Sequence, residues 1–350
     1  MTSIKQLPYF FIRKEVVERN IMRMFQKAQQ SKSLFRPHFK THQSLEVAEI
    51  FKKFGIDKIT VSSLEMAKLF ALAGFTDITI GIPVNFNLID EINRLAEQIQ
   101  LNLVFSDVAT PMEQIDQLSR NIAVYIEIDT GYKRSGIAVE NSEQIEKLHR
   151  KIMDAGLKFA GFFSHFGNTY SARSKQEILE IYHASLQKLL DLKDKYQTGI
   201  SVGDTPSSSL LESFENVDEI RPGNFVYYDW MQYNLGVCEL SDIAVYVVAT
   251  VIAKYPARNE LIIHAGAVHL SKEYLMRDEN KIYGKVARLE NTVIQEIEPG
   301  AELISLSQEH GIVTCSDEFF QKTHLYDNIA IIPVHSCLTA NLMKKATLFG

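Results

Sequence analysis

The sequence has little of what marks a secreted, membrane-spanning or nucleic-acid-binding protein. Its three cysteines, Cys238, Cys315 and Cys337, are an odd and low number for 350 residues, which argues against a secreted disulfide framework. The longest apolar run, 243–253, is too short for a transmembrane helix, and its β-branched side chains indicate a buried strand. No apolar leader follows the first residues, so we expect no signal peptide and a cytoplasmic location.

Charge and composition narrow the class further. The chain has 37 basic and 43 acidic residues, a formal net charge of −6 and no long basic run, so we expect neither a nucleic-acid nor a membrane partner. Hydrophobic residues make up 46% of the chain and charged residues 23%, which is the balance of an ordered globular protein. A chain of 350 residues has room for two domains or for one large barrel with an appendage.

Short apolar runs alternate with helix-length amphipathic segments through most of the chain. Segments 44–55 and 63–74 each begin with a serine cap and end at a glycine, and 171–195 keeps helical spacing over a longer stretch. This alternation predicts an α/β fold, a (β/α)8 TIM barrel. An open doubly wound sheet is the alternative, but no GxGxxG motif follows the first strand. The predicted strands are 35–40, 58–62, 77–82, 101–106, 122–129, 158–165, 200–203 and 218–221.

After Cys238 the apolar runs become short, β-rich and separated by turn residues, with no helix-length segment between them. This texture predicts a C-terminal all-β domain after the barrel. We expect the barrel over residues 15–237 and the β domain over 238–350, with residues 1–14 packing with the β domain. The predicted β-domain strands are 244–253, 260–264, 292–296, 302–305, 312–314 and 329–332.

Reactive side chains follow five of the predicted barrel strands. Barrel enzymes build their active sites at the carboxyl ends of the strands, so these side chains are expected to form one site. They are found in RPHFKTH (36–42, with Arg36, His38, Lys40 and His42), EIDTGYKRSG (127–136, with Asp129 and Arg134), SHFGNTY (164–170, with His165, Asn168 and Tyr170), VGDTPSSS (202–209) and RPGN (221–224).

Lys40 is the most informative of these residues. A lysine in a strand between apolar side chains is costly to bury while charged. Burial would lower its pKa and give a neutral amine that can form an imine with an aldehyde. The alternative is a lysine at a strand end whose ammonium group reaches solvent.

The loops after the last two barrel strands predict an anion site. GDTPSSS (203–209) offers backbone N–H groups and hydroxyls before a short helix, and RPGN (221–224) offers a second glycine opening. Each loop taken alone is also a plain turn. Asp204 fits a phosphate site only if its carboxylate points away from the anion.

PVHSC (333–337) provides a candidate metal pair. On an extended chain His335 and Cys337 share one face, and an imidazole beside a thiolate suits zinc better than magnesium or manganese. The alternative is a pair of ordinary structural side chains. His310 is a candidate for a further ligand or for a structural histidine.

These motifs, in this order, resemble those of one enzyme family. VERNIMRM, RPHFKTH, EIDTGYKRSGI, HFGNTY, SVGDTPSSS, EIRPGNFVYYD, SQEHG and PVHSC are similar to the fold-type III pyridoxal-phosphate enzymes of the D-serine dehydratase and D-threonine aldolase family, which share the alanine-racemase barrel. The resemblance implies that Lys40 forms the internal aldimine with pyridoxal 5'-phosphate. It implies a phosphate site made by Gly203, Thr205, Gly223 and Asn224, and a ring site made by Arg134 and Tyr170.

The resemblance also implies the catalytic and metal residues. Lys40, His165 and Tyr170 are the expected catalytic residues, and His335 and Cys337 are the expected metal pair, with the cysteine typical of the zinc-binding dehydratases. The implied reaction is dehydration of a β-hydroxy D-amino acid such as D-serine to a 2-oxo acid and ammonia. Aldol cleavage and racemisation remain alternatives, and the family is generally homodimeric.

The chain departs from the family pattern at Gln43, Asp204 and His264, and the roles of Asp204, His264 and His269 stay open. Two other classes of protein remain as alternatives. A non-catalytic pyridoxal-phosphate carrier shares the barrel but lacks a C-terminal β domain. A metallohydrolase could use His38, His42 and His165, although Lys40 would share the strand face of the first two.

Overall fold

The computed structural model describes residues 7–350, and residues 1–6 of the predicted segment 1–14 lie outside the described residues. The described chain forms two compact units. The barrel unit consists of Met22–Lys40 and Leu45–Gly223. The β unit consists of the chain up to Ile21, Thr41–Ser44 and Asn224–Gly350.

The strands and helices are numbered along the chain. The strands are β1 Tyr9–Ile12, β2 Leu34–Phe35, β3 Lys58–Val61, β4 Asp77–Pro83, β5 Gln100–Phe105, β6 Ala123–Asp129, β7 Ile137–Ala138, β8 Lys158–Ser164, β9 Ile200–Val202, β10 Glu219–Ile220, β11 Val245–Tyr255, β12 Glu260–His264, β13 Leu275–Arg277, β14 Asn280–Ile282, β15 Gly284–Glu290, β16 Val293–Leu306, β17 His310–Thr314, β18 Asn328–Pro333 and β19 Thr347–Phe349. The helices are α1 Lys14–Gln30, α2 Leu45–Lys53, α3 Leu64–Leu72, α4 Ile89–Ala96, α5 Met112–Ile115, α6 Ser142–Asp154, α7 Lys175–Tyr196, α8 Thr205–Leu210, α9 Trp230–Asn234, α10 Ala267–Leu270, α11 Asp317–Lys322 and α12 Ser336–Leu342.

The barrel unit contains a nearly closed barrel of parallel strands, so the predicted fold class is confirmed and the open sheet is wrong. The strand order is β2-β10-β9-β8-β6-β5-β4-β3, and β7 pairs with β6 outside this path. A bridge between His38 and Thr60 joins the two ends of the order. Every predicted barrel strand has a counterpart, because short apolar runs between capped helices are a local signal.

The predicted helices follow their caps. The hydroxyl of Ser63 accepts a hydrogen bond from the backbone N–H of Met66 at the start of α3, and Gly74 beyond its end has a φ of +90°. The start of the third predicted helix is wrong, since α7 begins after a cap at Ser174. The residues before it form a 3-10 helix, Gly167–Ser171, which carries Tyr170.

The first predicted strand, 35–40, is too long. Regular pairing ends at Phe35, because Pro37 has no N–H to donate and the chain turns from Phe39 onward. Short contacts still hold this segment in the seam of the barrel: the N–H of His38 donates to the carbonyl of Pro222 at 2.9 Å, and that of Phe39 to the carbonyl of Thr60 at 2.8 Å.

The β unit is built on an eight-stranded sheet with the order β12-β17-β16-β15-β18-β11-β1-β19. β1 pairs antiparallel with β11 and parallel with β19. The predicted strands 292–296 and 302–305 are parts of one strand, β16, whose pairing with β15 and β17 shifts register along its length. The sequence prediction missed β13, β14, β15 and β19, and it missed the short helices α10, α11 and α12. No helix in residues 7–350 combines the length and apolar character needed to cross a bilayer.

A buried ion cluster holds the two sides of the barrel seam together. Arg36 is 4% exposed, and its Nε lies 2.6 Å from a carboxylate oxygen of Glu219 on β10. Its Nη1 lies 2.6 Å from a carboxylate oxygen of Asp77 on β4. The hydroxyls of Ser201 and Tyr125 also donate to Glu219, at 2.6 and 3.5 Å. The seam therefore depends on one guanidinium placed between two carboxylates.

We predict that Arg36→Ala lowers the free energy of unfolding by about 3–5 kcal/mol, because it leaves the buried Glu219 carboxylate without its cation. Arg150→Ala is the matched control, since Arg150 forms an exposed helix pair with Glu146, and we expect a loss below about 0.5 kcal/mol there. Urea unfolding followed by circular dichroism measures both values. Equal effects of the two substitutions would contradict a structural role for the seam cluster.

Candidate active site

Lys40 lies in the turn that follows the barrel seam. Phe39, fully buried beside it, packs its ring 4.8–5.2 Å from the rings of Phe51, Phe70 and Phe75, so the backbone before Lys40 is anchored by aromatic packing. The Lys40 side chain itself is exposed, and the prediction that it is buried in a strand is therefore wrong. An exposed amine on an anchored backbone can approach a ligand while its attachment point stays fixed.

Two histidines lie close enough to Lys40 to feel its charge. Burial and then the charges of Lys40 and Arg221 lower the pKa of His38. Burial and the charges of Arg134 and Lys40 lower the pKa of His165 to about 3. His165 is therefore neutral at physiological pH, and its Nδ1–H donates to the carbonyl of Gly203, which leaves Nε2 as an acceptor.

The charges acting on these histidines define an electropositive site. Lys40, Arg134 and Arg221 all contribute to lowering the pKa values of both histidines. All three cations belong to the barrel unit and follow strand ends at its carboxyl side. A doubly anionic ligand is the chemical complement of such a set.

Arg221 is a site residue that sequence reasoning missed. Its side chain is buried. Its Nε donates to the hydroxyl of Ser201 and its Nη2 to the carbonyl of Ser164, both at 2.6 Å. Its guanidinium lies 3.3 Å from the centre of the Phe163 ring. Burial lowers its pKa to about 10. Its position at the end of a predicted strand is the sequence signal that could have identified it.

Arg134 and Tyr132 extend the same end of the barrel. Arg134 is exposed on the loop after β6, with its guanidinium 5.5 Å from the centre of the Tyr132 ring. The Tyr132 ring meets the His165 ring edge to face at 5.6 Å. A Cβ at Gly167 would lie 2.4 Å from the Tyr132 ring, so this glycine is required for the contact. Sequence reasoning missed Tyr132, because an exposed tyrosine in a loop has no distinguishing pattern.

The predicted phosphate loop is tied to Tyr170. The backbone N–H of Thr205 donates to the Tyr170 hydroxyl at 3.2 Å, at the start of α8. A Cβ at Gly203 would lie 2.9 Å from Arg221, so close packing against β10 requires this glycine. Gly223, the last residue of the barrel unit, follows β10, as the sequence predicted.

Asp204 turns its carboxylate into helix α8. The carboxylate accepts hydrogen bonds from the N–H of Ser207 at 2.8 Å, from the Ser207 hydroxyl at 2.6 Å and from the Thr169 hydroxyl at 2.9 Å. Burial raises the pKa of Asp204 to about 6. Asp204 therefore caps the helix, and these three bonds fix which way its carboxylate points.

The β unit holds the second predicted cluster. His335 precedes helix α12 and Cys337 lies within it, so the prediction of an extended chain at this point is wrong. The two side chains are nevertheless hydrogen-bonded to each other. Burial alone would lower the pKa of His335, but the charge of Cys337 raises it to about 9; burial alone would raise the pKa of Cys337, but His335 lowers it. Both shifts favour the form in which the proton lies on the imidazole and the sulfur carries the negative charge.

Asn224 is part of this thiolate cluster. Its side-chain amide donates to the Sγ of Cys337 at 3.4 Å, to the hydroxyl of Ser336 at 3.1 Å and to the carboxylate of Asp229 at 2.6 Å. The Thr41 hydroxyl lies 3.4 Å from the same sulfur. The amide of Asn224 is thus committed to the thiolate cluster, and a phosphate would have to use its backbone N–H.

The remaining histidine candidates do not form a metal cluster. Within residues 7–350 no three histidine, cysteine or carboxylate side chains are arranged to hold a metal ion, so neither His310 as a third ligand nor the hydrolase set of His38, His42 and His165 is supported. His264 pairs with His310 across β12 and β17, and its ring lies 6.0 Å from that of His269.

Comparison with known proteins agrees with this geometry. The family described as "Alanine racemase, N-terminal domain" matches residues 12–229, and the family described as "Putative serine dehydratase domain" matches residues 244–349. A D-serine dehydratase of Dictyostelium discoideum is 31% identical, over 96% of this chain and 91% of that protein. A D-threonine aldolase of Arthrobacter sp is 25% identical, over 93% of this chain and 84% of that protein.

Solved structures give the same relationship. The D-threo-3-hydroxyaspartate dehydratase from Delftia sp. HT23 superposes with a TM-score of 0.86 at 28% identity, covering 97% of this chain and 93% of that one. That dehydratase has also been solved as a histidine-to-alanine variant and as a metal-free cysteine-to-alanine variant, and the two replaced residues stand two positions apart. The chain described here belongs to the fold-type III pyridoxal-phosphate enzymes, in the family of the D-serine dehydratases with an alanine-racemase-like barrel.

Proposed function

We propose that this protein is a pyridoxal-phosphate-dependent lyase that dehydrates a β-hydroxy D-amino acid, such as D-serine, to a 2-oxo acid and ammonia. The observation that carries the proposal is the set of Lys40, Arg134 and Arg221 around two half-buried histidines of lowered pKa, in a chain of this family. This donor set fits a cofactor that has a phosphate, a phenolic oxygen and an aldehyde. When bound, the cofactor supplies an electron sink for negative charge at the substrate α-carbon.

Each barrel residue has a role that follows from its contacts. Lys40 would hold the cofactor through its amine, and the same amine, when free, would act as general base at the substrate α-carbon. Arg134 and Arg221 attract the anionic oxygens of the cofactor. His165, neutral at working pH, offers Nε2 as an acceptor and adds no charge. Tyr170 orients the phosphate loop by accepting from the N–H of Thr205.

We also propose a zinc ion on His335 and Cys337. Two observations support it: the sulfur is held as a thiolate by its neighbours, and the replaced histidine and cysteine of the related dehydratase have the same spacing. Two protein ligands leave positions for water or substrate, and zinc would supply Lewis-acid stabilisation for a departing hydroxyl group. Thr41 and Asn224, which contact the sulfur, directly follow Lys40 and Gly223 in the sequence.

Three further proposals come from the family resemblance. We propose that residues 15–237 bind the cofactor, that residues 238–350 carry the metal pair, and that the enzyme works as a homodimer. The cytoplasmic location stays a prediction of the sequence.

Lys40→Ala is expected to abolish cofactor attachment. The purified protein should absorb at about 410–430 nm after incubation with pyridoxal phosphate, because an imine between lysine and the cofactor is yellow, and the variant should lose this band. Lys147→Ala, on the exposed face of α6, removes the same group and should keep the band. Absorption spectra and thermal melts of the three proteins make the comparison. A wild-type protein that stays colourless with excess cofactor would overturn the proposed function.

A substrate screen separates the three reactions open to this family. We expect D-serine or D-threo-3-hydroxyaspartate to yield a 2-oxo acid and ammonia, because a thiolate-bound zinc favours loss of the β-hydroxyl group. Coupled reduction of the 2-oxo acid measures dehydration, an aldehyde assay measures aldol cleavage, and chiral chromatography measures racemisation. Glycine and an aldehyde from D-threonine, with no 2-oxo acid from any substrate, would identify an aldolase instead.

Chelation followed by zinc should first lower and then restore dehydratase activity. Cys337→Ala should reduce bound zinc from about one ion per chain to near zero, because a single remaining protein ligand binds zinc too weakly. Cys315→Ala, which removes a buried thiol elsewhere in the β unit, should keep its zinc. Elemental analysis of dialysed protein gives the metal content. Equal zinc in the two variants would remove Cys337 from the metal site.

A further inference from the structure

Strand β6 turns three polar side chains to one face. Tyr125, Glu127 and Asp129 alternate along the strand and so share a face. The Tyr125 hydroxyl donates to Glu219, and its ring lies 5.9 Å from that of Phe163, the ring on which Arg221 stacks. These contacts identify the barrel interior, so Glu127 lies in the interior between the seam cluster and the carboxyl end of β6.

Glu127 is buried, and only one of its two carboxylate oxygens is hydrogen-bonded within residues 7–350. Its side chain is 4% exposed, and its Oε1 accepts a hydrogen bond from the Ser135 hydroxyl at 2.8 Å. Its Oε2 is buried and has no hydrogen-bond partner within residues 7–350. A buried carboxylate oxygen without a hydrogen-bond partner lowers the stability of the fold. A donor or a cation that this oxygen could bind would offset that loss.

The surroundings of Glu127 indicate which group that is. Burial raises its pKa, while the Ser135 hydrogen bond and the charges of Arg134 and Arg221 act against this rise, and Asp129 adds to it. Arg221 is already held by Ser201 and Ser164. Arg134 is exposed and immediately precedes Ser135, the residue that Glu127 binds.

The loop that carries Arg134 is fastened on both sides. Asp129 accepts hydrogen bonds from the N–H groups of Gly131 at 2.8 Å and Lys133 at 3.1 Å. A Cβ at Gly136 would lie 3.0 Å from the carbonyl oxygen of Glu127, and Gly136 has a φ of +100°. The loop thus returns onto Glu127 just after Arg134, and it can do so only with glycine at that point.

We propose that Glu127 is a positioning residue for the bound cofactor. It fixes the Arg134 loop through Ser135, and its second oxygen would accept from the Arg134 guanidinium and so offset part of the positive charge that the cofactor would meet. This inference rests on the proposed cofactor function. Its physical consequence is that Glu127 sets the net positive charge felt by the cofactor, and therefore the pH at which the bound chromophore loses its proton.

The test titrates the absorption band of the loaded protein with pH. Glu127→Gln keeps an oxygen that accepts from Ser135 but removes the charge, so the pH midpoint of the band should fall by about one unit. Glu127→Asp restores the charge and should return the midpoint to within about 0.3 units of wild type. Glu143→Gln, the same substitution at an exposed site on α6, should leave the midpoint unchanged.

Two further variants separate charge from loop structure. Ser135→Ala removes the loop hydrogen bond and keeps the charge, so it should lower the melting temperature and shift the midpoint by less than Glu127→Gln does. Arg134→Met should raise the midpoint by about one unit, and it carries the test if Glu127→Gln does not fold. Adding Glu127→Gln to Arg134→Met should cause less shift than it does in wild type, because the charge acts through Arg134.

The outcomes distinguish failure of the cofactor function from failure of the positioning role of Glu127. A wild-type protein without an absorption band contradicts the cofactor function itself. A yellow wild type with the same midpoint in Glu127→Gln, or with an equal fall in Ser135→Ala, overturns the positioning role and leaves the proposed function intact.

Discussion

Three cationic side chains lie at the carboxyl end of the barrel, and their charges determine the protonation of the neighbouring histidines and the kind of ligand that the site can bind. Lys40, Arg134 and Arg221 act on the same two histidines, which burial and these charges keep neutral. The histidines therefore add shape and hydrogen-bond acceptors without adding further charge. The proposed anionic cofactor would balance this charge. The phosphate loop tolerates Asp204 for a separate reason, because its carboxylate accepts hydrogen bonds from Ser207 and Thr169.

Two carboxylates in the barrel interior, Glu219 and Glu127, differ in their partners. Glu219 pairs with Arg36 in the seam, where a broken pair would leave a buried charge and cost stability. Glu127 lies nearer the site, binds Ser135 and keeps one oxygen unpaired within residues 7–350. The first carboxylate belongs to the structure of the barrel. The second is the carboxylate for which we propose a role in positioning the Arg134 loop.

In the β unit, the cluster around Cys337 stabilises a negative charge, whereas the barrel site collects positive charge. The half-buried sulfur of Cys337 contacts His335, Asn224 and Thr41; burial acts to raise its pKa, but the charge of His335 and these hydrogen bonds lower it. Such a sulfur is ready to bind a soft divalent cation without further deprotonation. Zinc binding to this pair requires His335 to release its proton, because only a neutral imidazole binds a metal ion.

Local signals in the sequence predicted every strand of the barrel and most of the candidate residues, but they missed several strands and short helices of the β unit. Helix caps such as Ser63 and Gly74, and the apolar strand runs, are local signals that the fold preserves. The exposure of Lys40, the burial and contacts of Arg221 and the bond from Asn224 to Cys337 became known only from the tertiary structure. Each of these depends on segments far apart in the chain, and burial and electrostatic fields arise only when such segments meet.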